Sequence, residues 1–368
     1  MTELEALVTL NQLHQVGPVT IKKLVHTFGS AVDALSASAA DLASVPKVSA
    51  SVASRIAQWE RYSNTARELE ECERANISII TPESPQWPVG LRDLKDAPVL
   101  LYVWGSLQTT PHTNLAVIGS RKTTNYGRTI TEQFSTHLAY AGLTIVSGLA
   151  LGIDTIAHQS ALRAQQPTIA VLGSGLGSLY PRQNIELAHE IAGQGAVVSE
   201  YPLPTPPDKK TFPQRNRIVA AWAQGTLVTE MPKRSGAMIT SNMAMGLGRP
   251  VFAVPGPIDR TSSEGCHDLI KRGATLTTDP EQISQALLPA PVAQQLDLDL
   301  AGAPPAPTYP SLPPEEQLIL SHLTSLEQSV EDLMVATELP IAQLMTSLLS
   351  LELKDLATQH AGMNYTTA

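Results

Sequence analysis

The run Leu115-Ala116-Val117-Ile118-Gly119-Ser120-Arg121 decides the fold. Four apolar residues in succession read as a short strand buried on both faces, because alternate side chains point to opposite sides and both sides are apolar. A glycine ends the strand, a basic loop follows, and a helical pattern starts near Gly127. The same pattern recurs downstream. Strands at 115–119, 144–148, 168–173, 196–200, 226–230 and 251–256, with 274–278 as an edge strand, alternate with helices beginning near Gly127, Asp154, Asn184, Arg215, Ser235 and Thr261. Such alternation implies a parallel sheet covered on both faces. Right-handed crossovers then make it a doubly wound, Rossmann-like α/β domain.

Outward from this centre the periodicity changes. Residues 1–75 read as a small helical domain, with apolar positions at three- and four-residue steps (Ile21, Leu24, Val25, Phe28). Two breaks in it resemble each other, Val16-Gly17-Pro18-Val19 and Val45-Pro46-Lys47-Val48. They have the look of helix-hairpin-helix turns, whose exposed N–H groups suit a phosphate. The first keeps a glycine and the second has Lys47, so the domain reads either as a packing module or as a DNA contact. Residues 76–112 form a lead-in, with a strand from Ile77 to Ile80 and a Pro-rich, Trp-containing connector. Residues 289–314 hold 8 Pro in 26 positions and read as an extended linker. From 315 to 368 helical periodicity returns, enough for three short helices in a winged-helix-like module.

At 368 residues, 43% hydrophobic and 16% charged, the chain is globular rather than fibrous or disordered. It holds no apolar run of about 18 residues and no basic leader, which argues against a membrane partner and for a soluble, cytoplasmic protein. Two cysteines, Cys72 and Cys266, are too few for a disulfide framework or a cysteine zinc site. The net charge of -9 hides an asymmetry. Residues 1–112 carry 9 basic and 12 acidic side chains, residues 113–279 carry 15 and 11, and residues 280–368 carry 1 (Lys354) and 11. The positive charge sits in the Rossmann-like part, where a polyanion would bind. The acidic tail speaks against a DNA-reading role for the C-terminal module.

Nearly every unusual residue falls at a strand's C-terminal end, where open α/β sheets bind ligands. Gly119, Ser120 and Arg121 follow the first strand, and Ser147 and Gly148 end the second. Arg182 and Asn184 lie in the Tyr180-Pro181-Arg182-Gln183-Asn184 loop after the third. Arg215-Asn216-Arg217 open a helix, and Lys233, Ser235 and Gly236 precede another. Arginine reads phosphate through paired, charge-assisted hydrogen bonds. Arg215 and Arg217 have a second reading, as ion-pair partners of Glu200 and Glu230. Asp154 reads as a helix N-cap and His158 as a packed histidine. Gly173-Ser174-Gly175-Leu176-Gly177-Ser178 is a near miss to a dinucleotide fingerprint, but Tyr180-Pro181 follows where the helix should start. A P-loop is absent, and no catalytic set, metal site or cofactor is expected.

The ordered motifs Ile118-Gly119-Ser120-Arg121, Ser147-Gly148-Leu149-Ala150-Leu151-Gly152-Ile153-Asp154, Tyr180-Pro181-Arg182-Gln183-Asn184, Phe212-Pro213-Gln214-Arg215-Asn216-Arg217, Ser235-Gly236-Ala237-Met238-Ile239-Thr240 and Val254-Pro255-Gly256 resemble the bacterial DNA-processing protein A family (DprA/Smf) over roughly residues 85–285. The resemblance implies a non-enzymatic, homodimeric protein that binds single-stranded DNA. It would protect incoming strands and load a RecA-type recombinase in natural transformation and recombination. It carries DNA contacts over to Gly119, Ser120, Arg121 and the basic residue of the Tyr-Pro loop, commonly Lys in the family and Arg182 here. Arg215, Asn216 and Arg217 stay between scaffold and phosphate contact. Aromatics make up 4% of the chain, and Tyr126 and Tyr180 are the ones placed to stack on bases. Binding carried mostly by phosphate neutralisation is therefore expected. The alternative, a phosphoribohydrolase-like nucleotide enzyme, needs a Pro-Gly-Gly-x-Gly-Thr loop that the sequence lacks.

Overall fold

A computed structural model describes residues 1–107, 113–288, 312–323, 328–354, 356–360 and 363–367. These fall into two compact units, divided near residue 290. Most of the Pro-rich stretch lies outside the described residues.

In the first unit the N-terminal helices are α1 (Glu3–Gln12), α2 (Pro18–Phe28), α3 (Ala31–Ser36), α4 (Ala39–Ser44), α5 (Ala50–Ala57) and α6 (Thr65–Arg74). The two breaks are structural copies, in a register the sequence reading missed. Gln15 and Lys47 both take positive φ, 67° and 73°. The N–H of Val16 donates to the Leu13 carbonyl at 3.1 Å, and that of Val48 to the Val45 carbonyl at 3.0 Å. Lys47 therefore matches Gln15, while Ser49, the N-cap of α5, matches Gly17, the N-cap of α2. The second hairpin has not lost a glycine. It caps its helix with a hydroxyl instead.

The sheet then follows: β1 (Ile77–Ile80), β2 (Leu101–Gly105), β3 (Asn114–Ile118), α7 (Asn125–Tyr140), β4 (Thr144–Ser147), α8 (Ile153–Arg163), β5 (Thr168–Val171), α9 (Ile185–Gln194), β6 (Ala196–Ser199), α10 (Thr211–Trp222), β7 (Gly225–Val228), α11 (Gly236–Gly246), β8 (Val251–Ala253), α12 (Glu264–Lys271), β9 (Thr275–Leu276) and α13 (Glu281–Leu287). The strand order is β1-β2-β6-β5-β4-β3-β7-β8-β9, parallel throughout except that β2 pairs antiparallel with both β1 and β6. Strand β2 was read as connector, because Pro98 precedes it and periodicity alone does not reveal a pairing partner. Helix α10 starts at Thr211, a turn earlier than expected. Pro213 fits its first turn, where a missing N–H costs no hydrogen bond.

Alternation along β3 divides the core. Leu115 and Val117 pack with Phe134 and Leu138 of α7 and Ile153 of α8. Ala116 and Ile118 pack with Ile218, Val219 and Trp222 of α10. The N-terminal helices share their core with Tyr102 of β2 and with Leu187 and Ile191 of α9. Two buried polar ties fix them there. Asn11 donates to the Glu200 carbonyl at 2.9 Å, and the Leu203 N–H donates to the Glu68 carboxylate at 2.7 Å.

The second unit holds α14 (Pro314–His322), β10 (Gln328–Ser329), α15 (Val330–Thr337), α16 (Ile341–Leu353), β11 (Ala357–His360) and β12 (Asn364–Thr367). Its three strands pair antiparallel in the order β10-β12-β11. Ile319, Leu333, Leu344, Leu348 and Leu351 form its core. Three helices and a three-stranded wing make a winged helix.

Candidate nucleic-acid interface

From β3 the chain winds one way along the sheet, through β4 and β5 to β6, and from β7 the other way, through β8 to β9. The C-terminal ends of β3 and β7 therefore mark the topological switch point, where connections diverge and leave a crevice. A cavity of about 600 Å³ opens there, lined by Gly119, Ser120 and Arg121 after β3, Gly148 after β4, Phe212, Arg215 and Asn216 of α10, and Arg234, Ser235 and Gly236 after β7. Lys122 and Lys209 join the wall, so five cations face a single carboxylate, Asp154. A concave surface of one sign between low-dielectric walls focuses the field on an anion. Helix α11 adds the positive end of its dipole.

Backbone and buried side chains build the rim. The Ser120 N–H donates to the Glu230 carbonyl at 2.8 Å, and its hydroxyl donates to the Lys122 carbonyl at 2.8 Å. Gly119 is required because a Cβ would sit 2.6 Å from both the Glu230 carbonyl oxygen and Ile153. Gly148 leaves room for the Arg215 guanidinium. Arg215 donates through Nη1 to the Gly148 carbonyl at 2.7 Å and to the Val171 carbonyl. Burial lowers its pKa to about 10, which leaves it charged. Asp154 is the second residue of α8, not its cap. It accepts the Gly148 and Ala150 N–H groups at 3.1 and 3.3 Å, folding the loop back over the helix. Burial raises its pKa, and Arg215 opposes that rise.

The sequence-derived residues divide sharply. Gly119, Ser120, Arg121, Gly148, Arg215, Asn216, Ser235 and Gly236 are brought together in the cavity wall. Ser147 is fully buried and donates to the Val117 carbonyl at 2.6 Å. Asn184 is buried and donates to the Leu149 carbonyl at 2.9 Å and the Thr155 hydroxyl at 2.8 Å, pinning the loop. Arg217 points to the other side of α10, where it pairs with Glu200 at 2.5 Å and Asp96 at 3.0 Å. Glu230 has no arginine partner and accepts the Thr124 N–H and hydroxyl at 2.9 and 2.7 Å. Arg182 is exposed on its loop and outside the wall. Lys233 is outside it too, with its neighbour Arg234 in that place. Tyr126 gives its hydroxyl to the Pro255 carbonyl at 2.6 Å, away from the cavity wall. Phe212 was missed, although the Phe-Pro step at a helix start was in view. Its ring lies 5.5 Å below the Arg121 guanidinium carbon.

His158 is fully buried, bonds the Thr168 hydroxyl at 2.7 Å, and has its pKa lowered by burial to about 3, so it packs as a neutral ring. Burial pushes the Cys72 and Cys266 thiols up to about 12. Among the described residues no group of three or more metal-ligating side chains occurs, and no single helix is long and apolar enough to cross a membrane.

Residues 78–288 match the model of the DNA recombination-mediator protein A family, and residues 303–363 match the DprA winged helix domain. The chain belongs to the DprA/Smf family. It is 33% identical to protein Smf of Synechocystis sp., across 96% of either chain. The crystal structure of DNA processing protein A from Streptococcus pneumoniae superposes with a TM-score of 0.68 at 33% identity, covering 79% of this chain and 99% of that one. DNA processing protein A from Helicobacter pylori, described for its single-stranded DNA binding mode, matches with a TM-score of 0.52 at 30% identity, over 57% of this chain and 94% of that one.

Proposed function

We propose that this DprA/Smf protein binds single-stranded DNA in the switch-point crevice without chemical turnover. There it protects incoming strands and loads a RecA-type recombinase, as a cytoplasmic homodimer. The observation that carries the reading is the set of uncommitted cations on the crevice rim: Arg121, Lys122, Lys209 and Arg234 are exposed and line one cavity. Several fixed positive charges around a glycine-lined backbone suit a run of phosphates better than one small anion. Gly119, Ser120, Gly148, Asn216, Ser235 and Gly236 shape the path, Arg121 grips it, and Arg182 extends it from the adjoining loop. Ser147, Asn184, Arg215 and Arg217 support it from within. The only carboxylate in the wall is tied to two N–H groups and faces Arg215. General acid–base work needs a free group poised near neutral pH, which favours binding over catalysis.

The test is a fluorescence-anisotropy titration of labelled single-stranded and duplex DNA at two salt concentrations. Wild type is compared with Arg121→Ala/Arg182→Ala. Salt-sensitive binding that prefers the single strand and is lost in the double variant is expected. Binding retained by the variant moves the site elsewhere, and measurable nucleotide hydrolysis favours the enzyme reading.

A further inference from the structure

We infer that the crevice takes one nucleotide of the strand as a unit, with its phosphate in the wide basic cavity and its base in a narrow slot between Tyr180 and Arg121. This rests on the single-stranded DNA reading above. A second, smaller pocket adjoins the main cavity, and the two share Arg121, Gly148, Phe212 and Arg215. Phe212 is its floor. The ring centroid of Tyr180 lies 5.7 Å from that of Phe212, and the Arg121 guanidinium carbon lies 5.5 Å from the same ring. Pro181 and Leu151 complete an apolar wall. A phosphate has no use for such a wall, whereas the face of a base does.

The slot is held open by backbone. A Cβ on Gly173 would sit 2.7 Å from the Phe212 ring, so the ring rests directly against main chain and has no room to fold back. Tyr180 keeps 43% of its surface exposed and Leu151 39%, which leaves the mouth apolar and accessible. Arg121 joins the two pockets because a guanidinium offers a flat face for stacking and an edge of N–H donors for phosphate.

The slot is also chemically indifferent to base identity. The Gly148 and Ala150 N–H groups go to Asp154, the Gly148 carbonyl goes to Arg215, and the Leu149 carbonyl goes to Asn184. With these backbone groups already engaged, recognition falls to stacking, which every base offers.

The experiment titrates the full chain with a 15-residue oligothymidylate and with the same backbone carrying abasic residues, at matched salt. Wild type, Tyr180→Ala and Phe212→Leu are compared, and folding is checked by thermal denaturation. The abasic strand is expected to bind wild type at least about tenfold more weakly. Tyr180→Ala should remove most of that difference, and oligoadenylate should bind within a few-fold of oligothymidylate. Equal affinity for the abasic strand overturns the slot while leaving the DNA reading intact. So does a difference that survives both variants. Binding of neither strand overturns the DNA reading itself.

Discussion

The second turn of α10 and the loop after β3 carry the same side chain to opposite ends. In α10, Arg215 and Arg217 are buried, and their hydrogen bonds are used on the Gly148 and Val171 carbonyls and on the Glu200 and Asp96 carboxylates. After β3, Arg121 is exposed, rests on an aromatic ring and has no carboxylate partner within ion-pair distance. A buried cation whose bonds are internal is architecture, and losing it strands its partner. A solvated cation on a concave rim holds its charge for a ligand. The motif context of the two is equally basic, so only tertiary placement separates scaffold from grip.

Four measurements sharpen or break that contrast. The largest effect is expected for Arg217→Ala, which leaves Glu200 buried and unpaired. Unfolding by denaturant should show a loss of about 3–5 kcal/mol. A loss below about 1 kcal/mol would mean that the pair is solvated and the contrast unsound.

Arg121→Ala should leave the denaturant midpoint unchanged and weaken single-stranded DNA binding by about 1.5–3 kcal/mol, the worth of a charge-assisted bond. With about four phosphate contacts, the slope of log affinity against log salt should be about -3 for wild type and shallower by about 0.7 in the variant. A variant that unfolds, or a salt-independent affinity, would break the assignment.

The third effect depends on pH. The pKa of His158 is lowered to about 3 in the fold, against an ordinary value near 6.5. Its neutral form is therefore favoured on folding, and that contribution is complete above about pH 6.5. It is lost at up to about 1.4 kcal/mol per unit as pH falls from there toward 3. Stability measured at pH 7 and pH 5 should fall more in wild type than in His158→Gln. Equal falls would remove His158 from the acid response.

The smallest effect is expected from removing residues 289–368. The only basic residue there, Lys354, lies 2.6 Å from Glu316. Truncation should leave single-stranded DNA affinity within about twofold at physiological salt, measured by the same titration. A tenfold loss would make the winged helix part of the DNA surface.

Much of this was legible beforehand for a local reason. Strands β3 to β9 announce themselves as short apolar runs ended by glycine or by an acid, because a strand covered on both faces tolerates little else. The sequence reading ran the strands up to three residues too long at their C-terminal ends. The residues that leave the sheet to form the crevice are still apolar or small there. Strand β2 and the early start of α10 were missed because pairing partners and the first turn of a helix leave weak marks on periodicity.

The sequence by itself determined the alternation, the parallel sheet, the basic middle and acidic tail, and which loops meet at the sheet edge. Each follows from hydrophobic period or from charge, which are properties of neighbours along the chain. Only the tertiary structure decided that Ser147 and Asn184 are internal ties, that Arg217 faces away from the crevice, that Arg234 rather than Lys233 lines it, and that Phe212 sits beneath Arg121. Those outcomes depend on which side of a helix or loop meets which neighbour across the sheet. Contacts between residues tens to hundreds of positions apart leave no local pattern to read.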